Sequence, residues 1–301
     1  MRIFLTGAGG FLGAAIATAL AGHGHGVTCL VRPESQPWRL VDRCGSLTFV
    51  EGDLEDQRGI RRLLDAAAPE AVCHAAWRGV LGADRNDAAQ DANVAMTSAL
   101  ARLAALAGAK SFIGIGSQAE YGPLNRIAHE SDRVAPTTRY GIAKAAACRE
   151  VRTICAEAGL RFAWLRVFSL YGPRDHESWL LPYVIRILLR KERPALTPAE
   201  QHWDFLHVAD AAAAIHQVLA LPAEGIFNLG SGTAPFLRET IEAVRGLIDP
   251  SLPLGFGEVE YRTDQVMWLQ ADTGRLNALG WQPQIPLLDG LEETIAWFRD
   301  R

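Results

Sequence analysis

Tyr140 and Lys144 stand four residues apart in Tyr140-Gly141-Ile142-Ala143-Lys144. On a helix that spacing puts both side chains on one face, one turn apart. An ammonium beside a phenol favours the phenolate and draws its pKa down from about 10. The product is a general acid/base able to exchange a proton with a hydroxyl or a carbonyl oxygen. Upstream, Ser117 in Gly116-Ser117-Gln118-Ala119-Glu120 closes an apolar run, where its hydroxyl is placed to polarise the reacting oxygen. A Tyr-x-x-x-Lys alone arises by chance on many helices. Its weight here comes from the order of Ser117, Tyr140 and Lys144 behind a glycine motif at the start of the chain.

That motif is Gly7-Ala8-Gly9-Gly10-Phe11-Leu12-Gly13, between a strand-like run and a helix-like one. Glycines at 7, 10 and 13 permit a tight turn, close approach to a pyrophosphate, and close helix–strand packing. Free amides at the helix N-terminus then face the phosphates. A plain glycine-rich turn is the bland alternative, and the flanking elements favour a dinucleotide site. Past the second strand-like run, Leu30-Val31-Arg32-Pro33-Glu34-Ser35 places Arg32 where a carboxylate would accept both ribose hydroxyls of NAD. A guanidinium there suits a 2′-phosphate, so NADP is favoured, while nearby Glu34 leaves NAD open. Asp53, in Glu51-Gly52-Asp53-Leu54, is positioned either to accept from an adenine amino group or to serve as a turn residue.

The elements that must carry these residues follow from the hydrophobic pattern. Arg2–Leu5, Val27–Val31, Leu47–Val50, Ala71–Ala75, Ser111–Ile115 and Phe162–Val167 read as strands. Phe11–Ala21, Gln57–Ala67, Ala92–Leu106 and Tyr140–Ala158 read as helices. Strands interleaved with helices mean right-handed βαβ units, hence an α/β, doubly wound parallel (Rossmann) sheet. The rhythm changes after Val167, which predicts a dinucleotide-binding domain over 1–168 and a smaller mixed α/β substrate lobe over 169–301. The segment 203–221, with Trp203–His207 as strand, is expected to return to the sheet. An amphipathic helix over Leu287–Phe298 ends the lobe, and a ligand cleft is expected between the two parts.

Composition sets the outer bounds. The 301 residues are 49% hydrophobic and 21% charged, ordinary for a globular chain. Lys plus Arg is 30 and Asp plus Glu 34, and a net charge of −4 argues against a nucleic-acid or membrane-surface binder. No apolar run approaches the roughly 20 residues of a membrane span. Met1-Arg2-Ile3-Phe4-Leu5-Thr6 enters the motif at once, so no leader is expected and a cytoplasmic location is. Cys29, Cys44, Cys73, Cys148 and Cys155 form no CxxC pair and read as reduced, mostly buried thiols. The eight histidines show no metal-ligand spacing, so no metal is expected; His23 and His25 read as solvated turn residues.

Taken together, these motifs resemble the extended short-chain dehydrogenase/reductase (NAD-dependent epimerase/dehydratase) family, in its nucleotide-sugar-modifying branch. The resemblance runs over nearly the whole chain, through Gly52-Asp53-Leu54, His74-Ala75-Ala76, Asn93, Ser117, Tyr121-Gly122, Tyr140/Lys144 and Leu165-Arg166-Val167-Phe168. It continues through Tyr171-Gly172-Pro173, Asp204-Phe205-Leu206-His207-Val208-Ala209-Asp210, Asn228-Leu229-Gly230 and Leu279-Gly280-Trp281. It implies Tyr140 as acid/base, Lys144 as the residue that holds the nicotinamide ribose and tunes the phenol, and Ser117 as the group orienting the sugar oxygen. It completes the cofactor site with Gly9, Phe11, Leu12, Leu54, Ala75 and Asn93 beside Gly7, Gly10, Gly13, Arg32 and Asp53. It also implies a homodimer through the Ala92–Leu106 and Tyr140–Ala158 helices.

Departures from the family pattern narrow the reaction. Similar 4,6-dehydratases carry Asp-Glu after the Ser or Thr, and this chain has Gln118-Ala119, neither an acid nor a base. Similar 3,5-epimerase/4-reductases use a Cys and a His, where this chain has Ala119 and Trp179, with His176 nearby. What remains is either an NAD-retaining nucleotide-sugar 4-epimerase or a reductase of the 4-keto group of a nucleotide-linked 6-deoxy sugar, with Tyr140 as proton donor. A non-catalytic dinucleotide sensor is the alternative from a different class. Arg32, Ser169 before Leu170-Tyr171-Gly172-Pro173, and Trp203 before Asp204-Phe205 tilt the choice to the reductase. Candidate substrate contacts are Trp77, Gln118, Ser169, Trp179, Trp203 and Arg262, since an aromatic wall stacks a sugar or base and an arginine meets a diphosphate. Arg262 stands one residue short of the family's spacing to Asp264. For most of the eight tryptophans, core packing is the competing reading.

Overall fold

The computed structural model describes residues 1–33, 35–262 and 265–301. Its first half contains β1 (Arg2–Thr6), α1 (Phe11–Gly22), β2 (Gly26–Val31), β3 (Thr48–Glu51), α2 (Gln57–Ala67), β4 (Ala71–His74), α3 (Gln90–Leu106), β5 (Ser111–Ser117), β6 (Arg126–Ala128), α4 (Arg139–Ala158) and β7 (Arg161–Val167). There follow β8 (Ser169–Tyr171), α5 (Leu180–Leu189), β9 (Ala195–Leu196), β10 (His202–Trp203), β11 (Phe205–His207), α6 (Val208–Ala220) and β12 (Gly225–Leu229). The last elements are α7 (Leu237–Ile248), β13 (Gly255–Phe256), β14 (Trp268–Ala271), α8 (Gly274–Asn277) and α9 (Leu287–Arg299).

Seven strands form one parallel sheet in the order β3-β2-β1-β4-β5-β7-β12. The strands alternate sides with a period of two. On β1, Ile3 and Leu5 join the core under α1 and α6, and Phe4 joins the core under α2, α3 and α4. On β5, Ile113 and Ile115 face the first core and Phe112 the second. Burial of both faces is why these strands read as continuous apolar runs. Gly114 and Gly116 have a specific reason: a Cβ on either would stand 2.2 Å from Trp164, so the two glycines make the slot for its indole. A third core, built on α5, α7 and α9 with Tyr171 and Leu196, holds the C-terminal part together.

The expected return of Trp203–His207 to the main sheet is not what occurs. Phe205–His207 pairs with β8, and the seventh place in the sheet goes to β12, beside β7. The physical reason is Asp204. Its buried carboxylate accepts hydrogen bonds from the amides of Ser231, Gly232 and Ala271 and from the Ser231 hydroxyl, 2.6–3.1 Å away. Those donors fix the segment outside the sheet, while Phe227 and Leu229 on β12, at the edge of the sheet, point into its first core. The helix of the same segment, α6, does lie against α1, with Ala211, Ala214 and Ile215 in the shared core. Among the described residues no helix is long and apolar enough to cross a membrane.

Candidate active site

β5 delivers Ser117 to the carboxyl end of the sheet, where it caps a 3-10 turn, Gln118–Glu120, in a reciprocal capping box. The Ser117 hydroxyl accepts from the Ala119 amide at 3.2 Å, and the Glu120 carboxylate accepts from the Ser117 amide at 2.9 Å. Thr138 caps α4, its hydroxyl accepting from the Gly141 amide at 3.1 Å. A Cβ at Gly141 would meet the Ala119 carbonyl at 2.4 Å, so only glycine lets the first turn of α4 pack directly on the Ser117 turn. That close approach brings the Tyr140 phenol into hydrogen-bonding reach of Ser117.

Lys144 lies one turn further, buried, and its ammonium donates to the Ile115 carbonyl at 2.6 Å. It also sits 3.7 Å over the Trp77 ring and 5.9 Å from the Tyr140 ring centroid. Burial pulls the Lys144 pKa down to about 7, against the opposing charge of Glu120. The net direction for the phenol is upward, opposite to the fall expected from the sequence. Burial raises the Tyr140 pKa, and the influences opposing it are the Ser117 hydrogen bond and the charge of Arg85; Glu120 pushes it further up. The Arg85 guanidinium stands 4.6 Å over the Tyr140 ring. No pattern in the sequence marks Arg85, which lies on an irregular turn. Glu120 did carry a signal, because Ser117-Gln118-Ala119-Glu120 is a capping-box spacing.

The glycine loop fits a dinucleotide. Gly7 has φ of +78°, and a Cβ there would collide with Ala75 and Ala76 at 2.5–2.9 Å. A Cβ at Gly13 would meet the Gly7 carbonyl at 1.9 Å, which is how α1 can start against the strand. By contrast, Gly9 has nothing nearer its Cβ position than Ser35 Oγ at 4.0 Å, and α1 begins at Phe11 and Leu12 with no side-chain cap. This leaves an open cradle of amides at a helix N-terminus, the arrangement that suits a pyrophosphate. Arg32 is exposed just beyond β2; Glu34 lies outside the described residues.

Asp53 and Asn93, expected at the cofactor site, both have partners within the chain, and Asp53 also accepts from the Glu55 amide at 3.0 Å, as a turn residue does. Asp53 pairs with the Arg78 guanidinium at 3.2 Å, and Arg78 also pairs with Glu55. Asn93 is buried, accepting from the Arg78 amide at 3.0 Å and donating to its carbonyl at 3.1 Å. It fixes the loop after β4 from behind. Leu54 packs against the core of the α2 side, and the Ala75 amide donates to Thr6 at the strand ends.

Of the substrate candidates, Trp77 stands edge-on to Tyr140 at 6.1 Å between centroids, its indole N–H donating to Gln90 at 2.8 Å. Gln118 is half-buried beside Ser117. Ser169 and Trp203 are brought together, the indole donating to the hydroxyl at 2.7 Å. Trp179 caps α5 with 40% exposure, and Arg262 is exposed; no hydrogen bond or ring contact joins either to the Ser117–Tyr140 pair among the described residues. Asp264, used for the spacing argument, lies outside them. Cys29, Cys73, Cys148 and Cys155 are buried free thiols, each pushed up to about 12 by burial. The side chain of Cys44 is outside the described set. His23 and His25 are not simply solvated: His216 stacks on His23 at 3.8 Å and lies 5.3 Å from His25. Among the described residues no group of His, Cys, Asp and Glu is arranged to hold a metal ion.

Residues 3–230 match the family described as NAD dependent epimerase/dehydratase. The chain belongs to that family. It is an enzyme of the extended short-chain dehydrogenase/reductase type, which sets aside the sensor reading. This family member is 26% identical over 324 residues to a UDP-glucose 4-epimerase of Halalkalibacterium halodurans, covering 99% of this chain and 95% of that protein. A CDP-abequose synthase of Salmonella muenchen is 24% identical over 311 residues, covering 98% and 97%. The solved structure of a UDP-glucose 4-epimerase of Thermotoga maritima superposes with a TM-score of 0.90 at 23% identity, over 100% of this chain and 99% of the other. That likeness establishes the Rossmann-type fold.

Proposed function

We propose that this enzyme reduces the 4-keto group of a nucleotide-linked, 6-deoxy sugar. The observation that carries the chemistry is the Ser117–Tyr140 pair, half-buried at the carboxyl end of the sheet beside Trp77 and Lys144. The dinucleotide, when bound, supplies the hydride. Ser117 holds the ketone oxygen, and Tyr140 gives its phenolic proton to that oxygen as negative charge develops there. Lys144 holds the nicotinamide ribose, and the amides of Gly9, Phe11 and Leu12 receive the pyrophosphate, the Gly10 amide being spent on the Gly7 carbonyl at 2.9 Å. Trp77, Gln118, Ser169 and Trp203 line the sugar side. NADP is the cofactor this reading favours, because Arg32 is exposed at the end of β2, and a guanidinium there suits a 2′-phosphate.

A second reading, a 4-epimerase that keeps NAD bound through a reversible cycle, is favoured by a different observation. Arg39 donates to the Gly9 carbonyl at 3.1 Å and to the Arg174 carbonyl at 2.9 Å. It ties the segment after β2 across the glycine loop to the C-terminal lobe, a closure that suits a retained cofactor. The relatives named as 4-epimerases support the same reading. The deciding experiment is to denature purified protein and identify any dinucleotide released. Stoichiometric NAD after gel filtration supports the epimerase. An empty site that takes NADPH much more tightly than NADH supports the reductase, and 4-keto-6-deoxy sugar nucleotides are then the substrates to screen.

A further inference from the structure

We propose that Arg85 is a positioning residue for Tyr140: its guanidinium, seated on the face of the phenol ring, keeps the phenol able to give up its proton. Arg85 is half-buried on the 3-10 turn Gly82–Asn86, with its guanidinium 4.6 Å from the ring centroid. The turn is held there from the far side, because the Asn86 side-chain carbonyl accepts from the Arg139 amide at 3.2 Å. Arg139 opens the same helix that carries Tyr140, so the turn and the phenol share one anchor.

The groups that face Tyr140 come from four elements. Ser117 at the end of β5 stands beside the phenol and opposes the upward push of burial on it, and Glu120 from the 3-10 turn brings a negative charge. Lys144 is on the helix of Tyr140 itself, and Arg85 is on the turn after β4. Of the two cations, Lys144 has its ammonium turned to the Ile115 carbonyl and the Trp77 face, 5.9 Å from the Tyr140 centroid. Arg85 lies nearer the ring, at 4.6 Å. A cation on a ring face binds a phenolate more strongly than a phenol, because the negative charge is spread into the ring. When the phenolic O–H breaks and the proton passes to the substrate oxygen, the electron pair stays on Tyr140, and the Arg85 charge is already in place to meet it. Preorganised charge of this kind needs no rearrangement during proton transfer.

The inference rests on the reading of Tyr140 as proton donor, and its test does not need a substrate. Tyrosine ionisation is followed by ultraviolet difference absorbance in protein saturated with oxidised dinucleotide, with Tyr140→Phe as the blank that identifies the Tyr140 component. In Arg85→Gln that component is expected about one pH unit higher, the size typical of removing a cation within ~4–6 Å. Arg85→Lys, which keeps the charge, is expected to restore it. Asn86→Ala, which frees the turn without touching the cation, should shift the same component upward by a smaller amount. A Tyr140 component unmoved in Arg85→Gln overturns the proposal, as does a shift that lysine does not reverse. If Tyr140→Phe retained turnover, the reading of the reaction would fail, while the titration would still decide the role of Arg85.

Discussion

Glu120 and Arg166 form an ion pair of 2.8 Å in which neither side chain has more than 3% exposure. The second oxygen of Glu120 accepts from the Ser117 amide and from the Trp164 indole, each at 2.9 Å, and Arg166 lies over the Tyr121 ring at 4.3 Å. The pair is therefore the floor on which Ser117 stands. Removing one partner strands a charge in the interior, at a cost of about 3–5 kcal/mol. Glu120→Ala is expected to lower the urea midpoint by that equivalent. Combining it with Arg166→Met should recover much of the loss, because the orphaned charge goes too. Strictly additive losses in the two-residue cycle would show that the pair does not act as a unit.

Tyr140→Phe removes only the phenolic oxygen and leaves the ring between Trp77 and Arg85. Turnover is expected to fall about 10²–10⁴-fold, the usual contribution of a positioned acid/base. Dinucleotide affinity measured by fluorescence titration should change little. Ser117→Ala should cost turnover in the same direction, since it removes both the oxygen-orienting hydroxyl and the hydrogen bond that opposes the upward push of burial on Tyr140. Full activity in either variant, with any sugar nucleotide, would refute the proposed chemistry.

Six of the seven strands of the main sheet were legible in the sequence because continuous apolar runs and glycine punctuation are local signals; β12 was not. Gln57–Ala67 is a helix within the very bounds the pattern suggests, and β5 extends only two residues further, to Ser117. Ser117, Tyr140 and Lys144 could be read because their spacing to one another and to the glycine loop carries the information. Arg85 could not. Its meaning depends on a turn folding back over a helix that begins some fifty residues later, a contact without sequence periodicity. The direction of the Lys144 ammonium was equally hidden: helical spacing sets the face, while the Ile115 carbonyl and the Trp77 ring, both distant in sequence, set where the charge points. Asp204 misled for a related reason. Its neighbours look like strand, and the donors that hold it aside come from Ser231, Gly232 and Ala271.

The cluster of His23, His25 and His216 predicts sensitivity to acid. Burial, with the nearby N-terminal ammonium and His23, lowers the pKa of His25; burial, with His23 and His25, lowers that of His216. In the unfolded chain both groups bind protons as the pH falls through about 6.5, while the folded chain resists. The unfolded state thus gains protons first, and stability is lost below that pH. Buried His74, held between Thr6 and Thr97 with its pKa lowered to about 3, adds to the same slope. The check is a comparison of melting temperatures between about pH 7.5 and 5.5. His216→Gln should lose less than the wild-type chain over that interval, and an identical loss would show that the cluster does not contribute.

Leu106 on α3 and Ile142 on α4 are 67% and 52% exposed. The two helices pack on each other within one chain, and they are the pair through which the family resemblance implies a homodimer. Light scattering is expected to give the mass of a dimer, and Ile142→Glu, which puts a charge in that interface, to shift it towards a monomer. A dimer that ignores the substitution would move the interface elsewhere.

Arg32 offers the sharpest separation between the two readings of the reaction. It is exposed at the end of β2, so replacing it should leave the fold intact. If it meets a 2′-phosphate, Arg32→Ala loses a charge-assisted bond worth about 1.5–3 kcal/mol, or roughly 10–150-fold in NADPH affinity. NADH, lacking that phosphate, should bind the variant as it binds the wild-type chain. The discrimination ratio is the useful quantity, because general damage to the glycine loop would weaken both cofactors together. A ratio unchanged by the substitution would make Arg32 a surface residue. The tie from Arg39 to Gly9 and Arg174 would then be the feature to pursue, and slow dissociation of bound NAD the expected result.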